Sequence, residues 1–107
     1  MPMSTIFVGR HPGAVSWMKT KRVPVDRWVD ALDIDDVKPG DIVVGTLPVH
    51  LIADVCGRGA RFVALCLDIP RHLRGAEFTE EEVGLLNGRL EAYEVRPAAL
   101  PFAIPQA

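Results

Sequence analysis

Residues 41–57 read DIVVGTLPVHLIADVCG, and this run decides the fold. Asp41–Thr46 is short, β-branched and apolar, and it follows a Lys38-Pro39-Gly40 turn, which is the pattern of a buried strand. Leu47–Gly57 continues as a helix. Pro48 stands near its first position, where a missing N–H costs nothing. Val49, Ile52, Ala53 and Cys56 mark its buried stripe, and Gly57 and Gly59 stop it. Arg61–Asp68 (RFVALCLD) is then a strand again, continuously apolar in its middle as a central parallel strand is. Strand, helix and strand in this order form the repeating unit of a parallel sheet.

The flanks extend the same unit. Thr5–Gly9 (TIFVG) reads as a buried strand ending on a glycine. Ala14–Lys21 follows with Val15, Trp17 and Met18 at near-helical spacing, preceded by Pro12 and Gly13. Val23–Leu32 fits two descriptions: Val25, Trp28, Val29 and Leu32 suit a helix, and Arg27–Leu32 (RWVDAL) suits a short strand. Downstream, Thr79 is an N-cap and Glu82 completes a capping box, and the helix they open runs to about Gly88. Leu90–Arg96 (LEAYEVR) alternates as an edge strand does. Trp17 and Trp28 read as core residues. The predicted architecture is α/β: a small three-layer sandwich of Rossmann-like type, with a mostly parallel sheet of about four to five strands and helices on both faces. Residues 1–96 form its one domain, and the proline-containing stretch Pro97–Ala107 is a tail.

Totals narrow the function. The chain of 107 residues is 49% hydrophobic, enough for an ordinary core. No apolar run approaches the roughly 18 residues of a membrane span, and the first residues do not read as a secretion signal. Cys56 and Cys66 fit no metal spacing and read as buried, unpaired small hydrophobes of a reducing, cytoplasmic protein. The net charge of −2 argues against tight binding to long DNA or RNA. Its distribution is uneven: residues 1–76 hold 10 Lys/Arg against 8 Asp/Glu, and residues 77–107 hold 2 against 6. An anionic ligand is therefore expected to meet the first two thirds of the chain, and a compact one suits this balance better than a polymer.

Open parallel sheets bind ligands beyond the carboxyl ends of their strands. Three segments fall there: Gly9–Gly13, Gly45–His50 and Pro70–Gly75. They contain all three histidines (His11, His50 and His72) together with Arg10, Arg71 and Arg74. Gly9 and Gly13 allow close backbone approach, the following helix N-terminus favours an anion, and Arg10 adds a planar fork for phosphate oxygens. Thr46, Leu47, Pro48 and His50 repeat this logic in the second segment. Two histidines and an arginine suit metal-free phosphodiester cleavage, with one imidazole as base on a ribose 2′-OH, the other as acid on the leaving 5′-oxygen, and arginine stabilising the phosphorane. Each segment also has a plain reading as a solvated strand end. No carboxylate pair falls at these strand ends, so no metal site and no cofactor are expected.

The runs Arg10-His11-Pro12-Gly13-Ala14 with Trp17, Gly45-Thr46-Leu47-Pro48-Val49-His50-Leu51, Gly59-Ala60-Arg61-Phe62 and Leu73-Arg74-Gly75 resemble the CRISPR-associated Csx proteins of type III systems, nearest to the sixteenth Csx family. The resemblance spans roughly residues 5–96. It implies a domain similar to the CARF sensor domains and a ring nuclease that degrades cyclic oligoadenylate, chiefly cyclic tetra-adenylate, to switch off antiviral signalling. On that resemblance Arg10, His11 and His50 carry the chemistry, while Gly9, Gly13, Thr46, Leu47, Pro48 and Arg74 bind the substrate. A symmetric homodimer would enclose a two-fold ring. The rival expectations are a module that binds cyclic oligoadenylate without cutting it, as a sponge or a regulator, and an interaction protein of the same locus.

Overall fold

A computed structural model describes residues 4–105. Five strands form one sheet: β1 (Thr5–Val8), β2 (Arg27–Val29), β3 (Ile42–Gly45), β4 (Arg61–Cys66) and β5 (Arg89–Tyr93), in the order β2-β1-β3-β4-β5. The first four are mutually parallel and β5 is antiparallel to β4. Three helices cover the sheet: α1 (Pro12–Thr20), α2 (Val49–Gly57) and α3 (Glu80–Leu85). The expected three-layer α/β sandwich is the observed one.

Strand alternation divides the core in two. Ile6 and Val8 of β1, Val43 of β3 and Phe62 of β4 pack on one face with Val55 of α2 and with Val37 after the 3₁₀ turn Ile34–Asp36. Phe7 and Val44 point to the other face and meet Ala14, Trp17 and Met18 of α1, Val83 of α3, and Phe78. Crossovers between parallel strands are right-handed, so a connection that moves across the sheet in one direction lies on one face and its opposite lies on the other. The chain steps from β1 outward to β2 through α1, then back across β1 to β3 and onward through α2 to β4. The sheet is thus clothed on both sides, and its direction of winding reverses between β1 and β3.

That reversal rests on a glycine. Val8 pairs with Gly45 at the ends of β1 and β3. Gly45 has φ +145, and a Cβ built there would lie 2.3 Å from the Val8 carbonyl oxygen. At the opposite end of β3, the buried Asp41 accepts from the Ser4 N–H through Oδ1 at 3.2 Å and from the Lys38 N–H through Oδ2 at 2.9 Å. Its carboxylate ties the approach to β1 and the turn before β3 together, a duty that ordinary sequence patterns do not announce.

Several local expectations change. The ambiguous stretch resolves as strand at Arg27–Val29. Trp28 is on that edge strand and 40% exposed, its ring against Phe7 and under the Lys19 ammonium, so only Trp17 is a core tryptophan. The buried face of α2 is centred on Val55, with Ile52 and Cys56 beside it, and Val49 is 67% exposed. A run with apolar residues on several sides leaves helical phase undetermined, and tertiary packing chose it. Both cysteines are unpaired as expected but only half-buried. No helix among the described residues is long and apolar enough to cross a membrane.

Gly45→Ala forces either a backbone clash or a separation of β1 from β3. It is expected to cost about 2–4 kcal/mol in urea denaturation, whereas Gly57→Ala, where an added Cβ meets nothing within 4 Å, leaves the midpoint within error.

Candidate anion-binding edge

The first two predicted segments leave neighbouring strands. Because Val8 is in register with Gly45, Gly9 and Thr46 start side by side, about 5 Å apart as adjacent strands are. Gly9 is held in place by donating its N–H to the Val29 carbonyl at 2.9 Å. Arg10, Thr46, Pro48 and His50 are all exposed at this carboxyl edge, and Leu47 is half-buried against the α2-side core. The edge flanks the place where winding reverses, which is where open α/β sheets hold their ligands.

His11 behaves differently from an exposed strand-end residue. The Phe78 N–H donates to its Nε2 at 2.8 Å, and its ring stacks on the Phe78 ring with centroids 6.0 Å apart. Its Nδ1 also lies 3.4 Å from the Ala14 N–H at the start of α1. A neutral imidazole has one bare nitrogen, and both ring nitrogens cannot accept at once. The 2.8 Å contact is much the stronger, which places the ring proton on Nδ1 and commits the Nε2 lone pair to Phe78. His11 therefore joins the start of α1 to the segment leading into α3, and its accepting nitrogen faces protein.

Gly13 serves the same junction. A Cβ there would stand 1.9 Å from the Phe78 carbonyl oxygen, so the missing side chain accommodates the protein's own backbone. The third segment joins through this junction as well. It forms a 3₁₀ turn at Arg71–Leu73, Leu73 packs against the α1/α3 core, and the chain runs on to Phe78. Arg71, His72 and Arg74 remain exposed.

The three helix N-termini differ in how they are capped and charged. At α3, the Thr79 hydroxyl accepts from the Glu82 N–H and the Glu82 carboxylate accepts from the Thr79 N–H. At α1, Pro12 has no N–H and His11 sits at the cap. At α2 the cap is Pro48, which offers no side-chain acceptor, and its carbonyl takes the Leu51 and Ile52 N–H groups. The Val49 and His50 N–H groups have no partner among the described residues, and no acidic side chain stands in that first turn. Unsatisfied donors with the positive end of the helix dipole suit an anion.

The edge is open. Four grooves among the described residues, one of them beside Pro12, Gly13, Phe78 and Glu80, have no lining from Arg10, Thr46 or His50. Among the described residues no group of three or more His, Cys, Asp and Glu side chains is arranged as a metal site.

One protein family, described as "Putative CRISPR-associated protein (Cas_VVA1548)", has a family model that matches residues 6–96. The chain belongs to this CRISPR-associated family. Comparison with curated proteins and with solved structures returns no match. The family's span takes in the described strands and helices save Thr5 of β1, both turns of the carboxyl edge and the His11–Phe78 junction, and stops three residues after β5.

Sequence reading missed the network on β4 and β5. The Asp68 carboxylate accepts from the Asn87 amide at 3.0 Å and from Arg89 at 3.0 Å, and Glu91 accepts from the Tyr93 hydroxyl at 2.6 Å. The Cys66 thiol lies 3.5 Å from Glu91. Only the antiparallel register, which pairs Cys66 with Arg89, brings these residues together. The Asn87 amide and then Arg89 hold Asp68 below its ordinary 3.8, and Tyr93 and Cys66 hold Glu91 below 4.5. Burial and Glu91 push the Cys66 thiol above 9.0, and Glu91 pushes Tyr93 above 10.0.

Two outcomes are expected. His11→Asn supplies an N-cap oxygen to α1 but loses Phe78, so it should lower stability by about 1–2 kcal/mol in denaturant titration, while His50→Ala changes nothing there. Stabilisation by depressed carboxylates is present above their unfolded values and lost as pH falls, and stabilisation by a raised thiol or phenol is lost as pH rises. The melting-temperature gap between wild type and Glu91→Gln should thus be widest from about pH 5 to 8 and close below 4 and above 10.

Proposed function

We propose that the protein is a metal-independent ring nuclease acting on cyclic oligoadenylate, with cyclic tetra-adenylate as its preferred substrate. The observation that carries this reading is the juxtaposition of Arg10 with the uncapped N-terminus of α2 on adjacent strands, in a member of a CRISPR-associated family. A cyclic oligonucleotide offers several phosphates in a compact frame, which suits a few aimed donors better than it suits a broad basic surface.

In the proposed reaction a ribose 2′-oxygen attacks the adjacent phosphorus in line. The new O2′–P bond forms as the P–O5′ bond breaks. The 2′-hydroxyl proton leaves to solvent or to an exposed imidazole, and the 5′-oxygen takes one up. The products are linear fragments ending in 2′,3′-cyclic phosphate. Arg10 and the Val49 and His50 N–H groups stabilise charge developing on the phosphoryl oxygens. Much of the rate comes from holding the ribose in line. Of the two histidines with exposed rings, His50 is the one in the first turn of α2, and His11 acts as a positioning residue through Phe78. Thr46 and Arg74 flank the ring. An open edge becomes an enclosed site when a second copy faces it across a two-fold axis, with Arg10 contributed from both sides.

Purified protein incubated with cyclic tetra-adenylate and EDTA should yield the cyclic-phosphate products at an undiminished rate, followed by chromatography and mass spectrometry. Arg10→Ala should slow single-turnover cleavage by about 10²-fold or more with an unchanged melting temperature. Complete loss of cleavage in chelator sinks the metal-free scheme. An intact ring bound tightly after long incubation identifies a binding module instead of an enzyme.

A further inference from the structure

The segment after β5 is built unlike the rest of the chain. Residues 97–107 contain no charged side chain. Leu100, Phe102 and Ile104 are 64%, 65% and 60% exposed, the largest concentration of exposed apolar side chains among the described residues. Single exposed apolar residues are ordinary, but three within five positions of one uncharged segment are not. The radius of gyration is 15.6 Å, against about 13 Å for a compact domain of this length, as an unpacked arm requires.

The arm starts beside an apolar groove of about 440 Å³ lined by Cys56, Ala60, Phe62, Ala92 and Tyr93, with Arg61 and Glu94 at its ends. It does not enter that groove. From Glu94 to Pro97 the chain runs along the outer side of α2, past Ala53, Cys56 and Gly57, and reaches the neighbourhood of Ile34 and Arg58. The arm thereby leaves its own groove behind before Leu100.

We propose that this arm is an exchange element: Leu100, Phe102 and Ile104 of one copy cover the Phe62–Tyr93 groove of a second copy, and the second copy's arm returns the contact.

Three points favour a second copy as the occupant. Donor and acceptor lie on one region of the surface, with Glu94 both lining the groove and beginning the arm, so a two-fold axis beside Tyr93 satisfies both contacts at once and closes the assembly. The five steps of chain from Pro97 to Phe102 reach about 17 Å, enough to cross to a neighbouring protomer. An uncharged arm fits a groove whose floor is aliphatic and aromatic. Tyr93 pairs with Phe62 near the start of β4, so the groove lies at the end of the sheet opposite Arg10 and Thr46. This contact is therefore independent of the ring-binding reading.

Sedimentation equilibrium of the full chain tests the proposal. The wild type is expected to be dimeric at micromolar concentration. The triple variant Leu100→Ser, Phe102→Ser, Ile104→Ser, which alters only exposed side chains, should weaken dimerisation at least about 10-fold while keeping the wild-type circular dichroism spectrum. In a Cys66→Ser background, Phe102→Cys should form a disulfide with Cys56 under mild oxidation. A covalent dimer on a non-reducing gel supports exchange. A monomeric wild type, a dimer indifferent to the serine variant, or a disulfide closed within one chain overturns it.

Discussion

The fold depends on how closely β1 and β3 approach at their carboxyl ends. Val8 presents its carbonyl where any side chain at position 45 would begin, and the backbone of Gly45 adopts a φ that other residues avoid. Remove that tolerance and the two strands cannot remain in register to their last residues. With it, the turn after β1 and the turn after β3 leave the sheet side by side, and the helices that follow diverge to opposite faces. A single missing side chain thus permits the approach that sets the turn bearing Arg10 beside the turn that leads into α2.

What each helix does with its first turn decides which part of that ledge is available. Helices α1 and α3 are locked to each other: Gly13 admits the Phe78 carbonyl, His11 accepts the Phe78 N–H, and Thr79 with Glu82 closes the next cap. The three glutamates in the first turn of α3 oppose an anion there. Helix α2 begins instead at a proline that cannot cap with its side chain, directly after the glycine that permits the β1–β3 approach. The same short run therefore fixes the topology and leaves two N–H groups unspent. First-turn N–H groups of a helix lack intrahelical partners, and at α2 they stand exposed at a carboxyl strand end with no acidic side chain in the turn, which suits an anion.

The architecture was legible because it rests on patterns with a short range. Strands were written in β-branched runs, helix ends in Pro48, Thr79 and Gly57, and topology in the order of elements. What sequence reading left undetermined shares another cause. Trp28 lies on an edge because only three residues pair there, and no local pattern states how far a strand continues. The phase of α2 was hidden by apolar residues on several sides. His11 looked like a reactive strand-end histidine, and its partner is 67 residues away. The Glu91 network likewise depends on the β4–β5 register. Chemistry-bearing residues could be named from local sequence, but whether their lone pairs were free could not, because that is settled by contacts between distant segments.

The two ends of the sheet pose opposite problems. At the carboxyl edge the protein exposes charge and unpaired donors without walls around them. At the far end it exposes apolar side chains and an apolar groove without bringing them together. Water satisfies the first arrangement at little cost, since arginine and amide groups hydrate well, so the ledge can stand open until an anion arrives. Water penalises the second continuously, at about 25 cal/mol for each Å² of apolar surface left uncovered. The arm therefore gains from association whether or not ligand is present, and the ledge gains only when a charged molecule bridges it. Assembly through the arm and capture of a ligand at the ledge are in this way separate properties of the chain, and a defect in one has no direct route to the other.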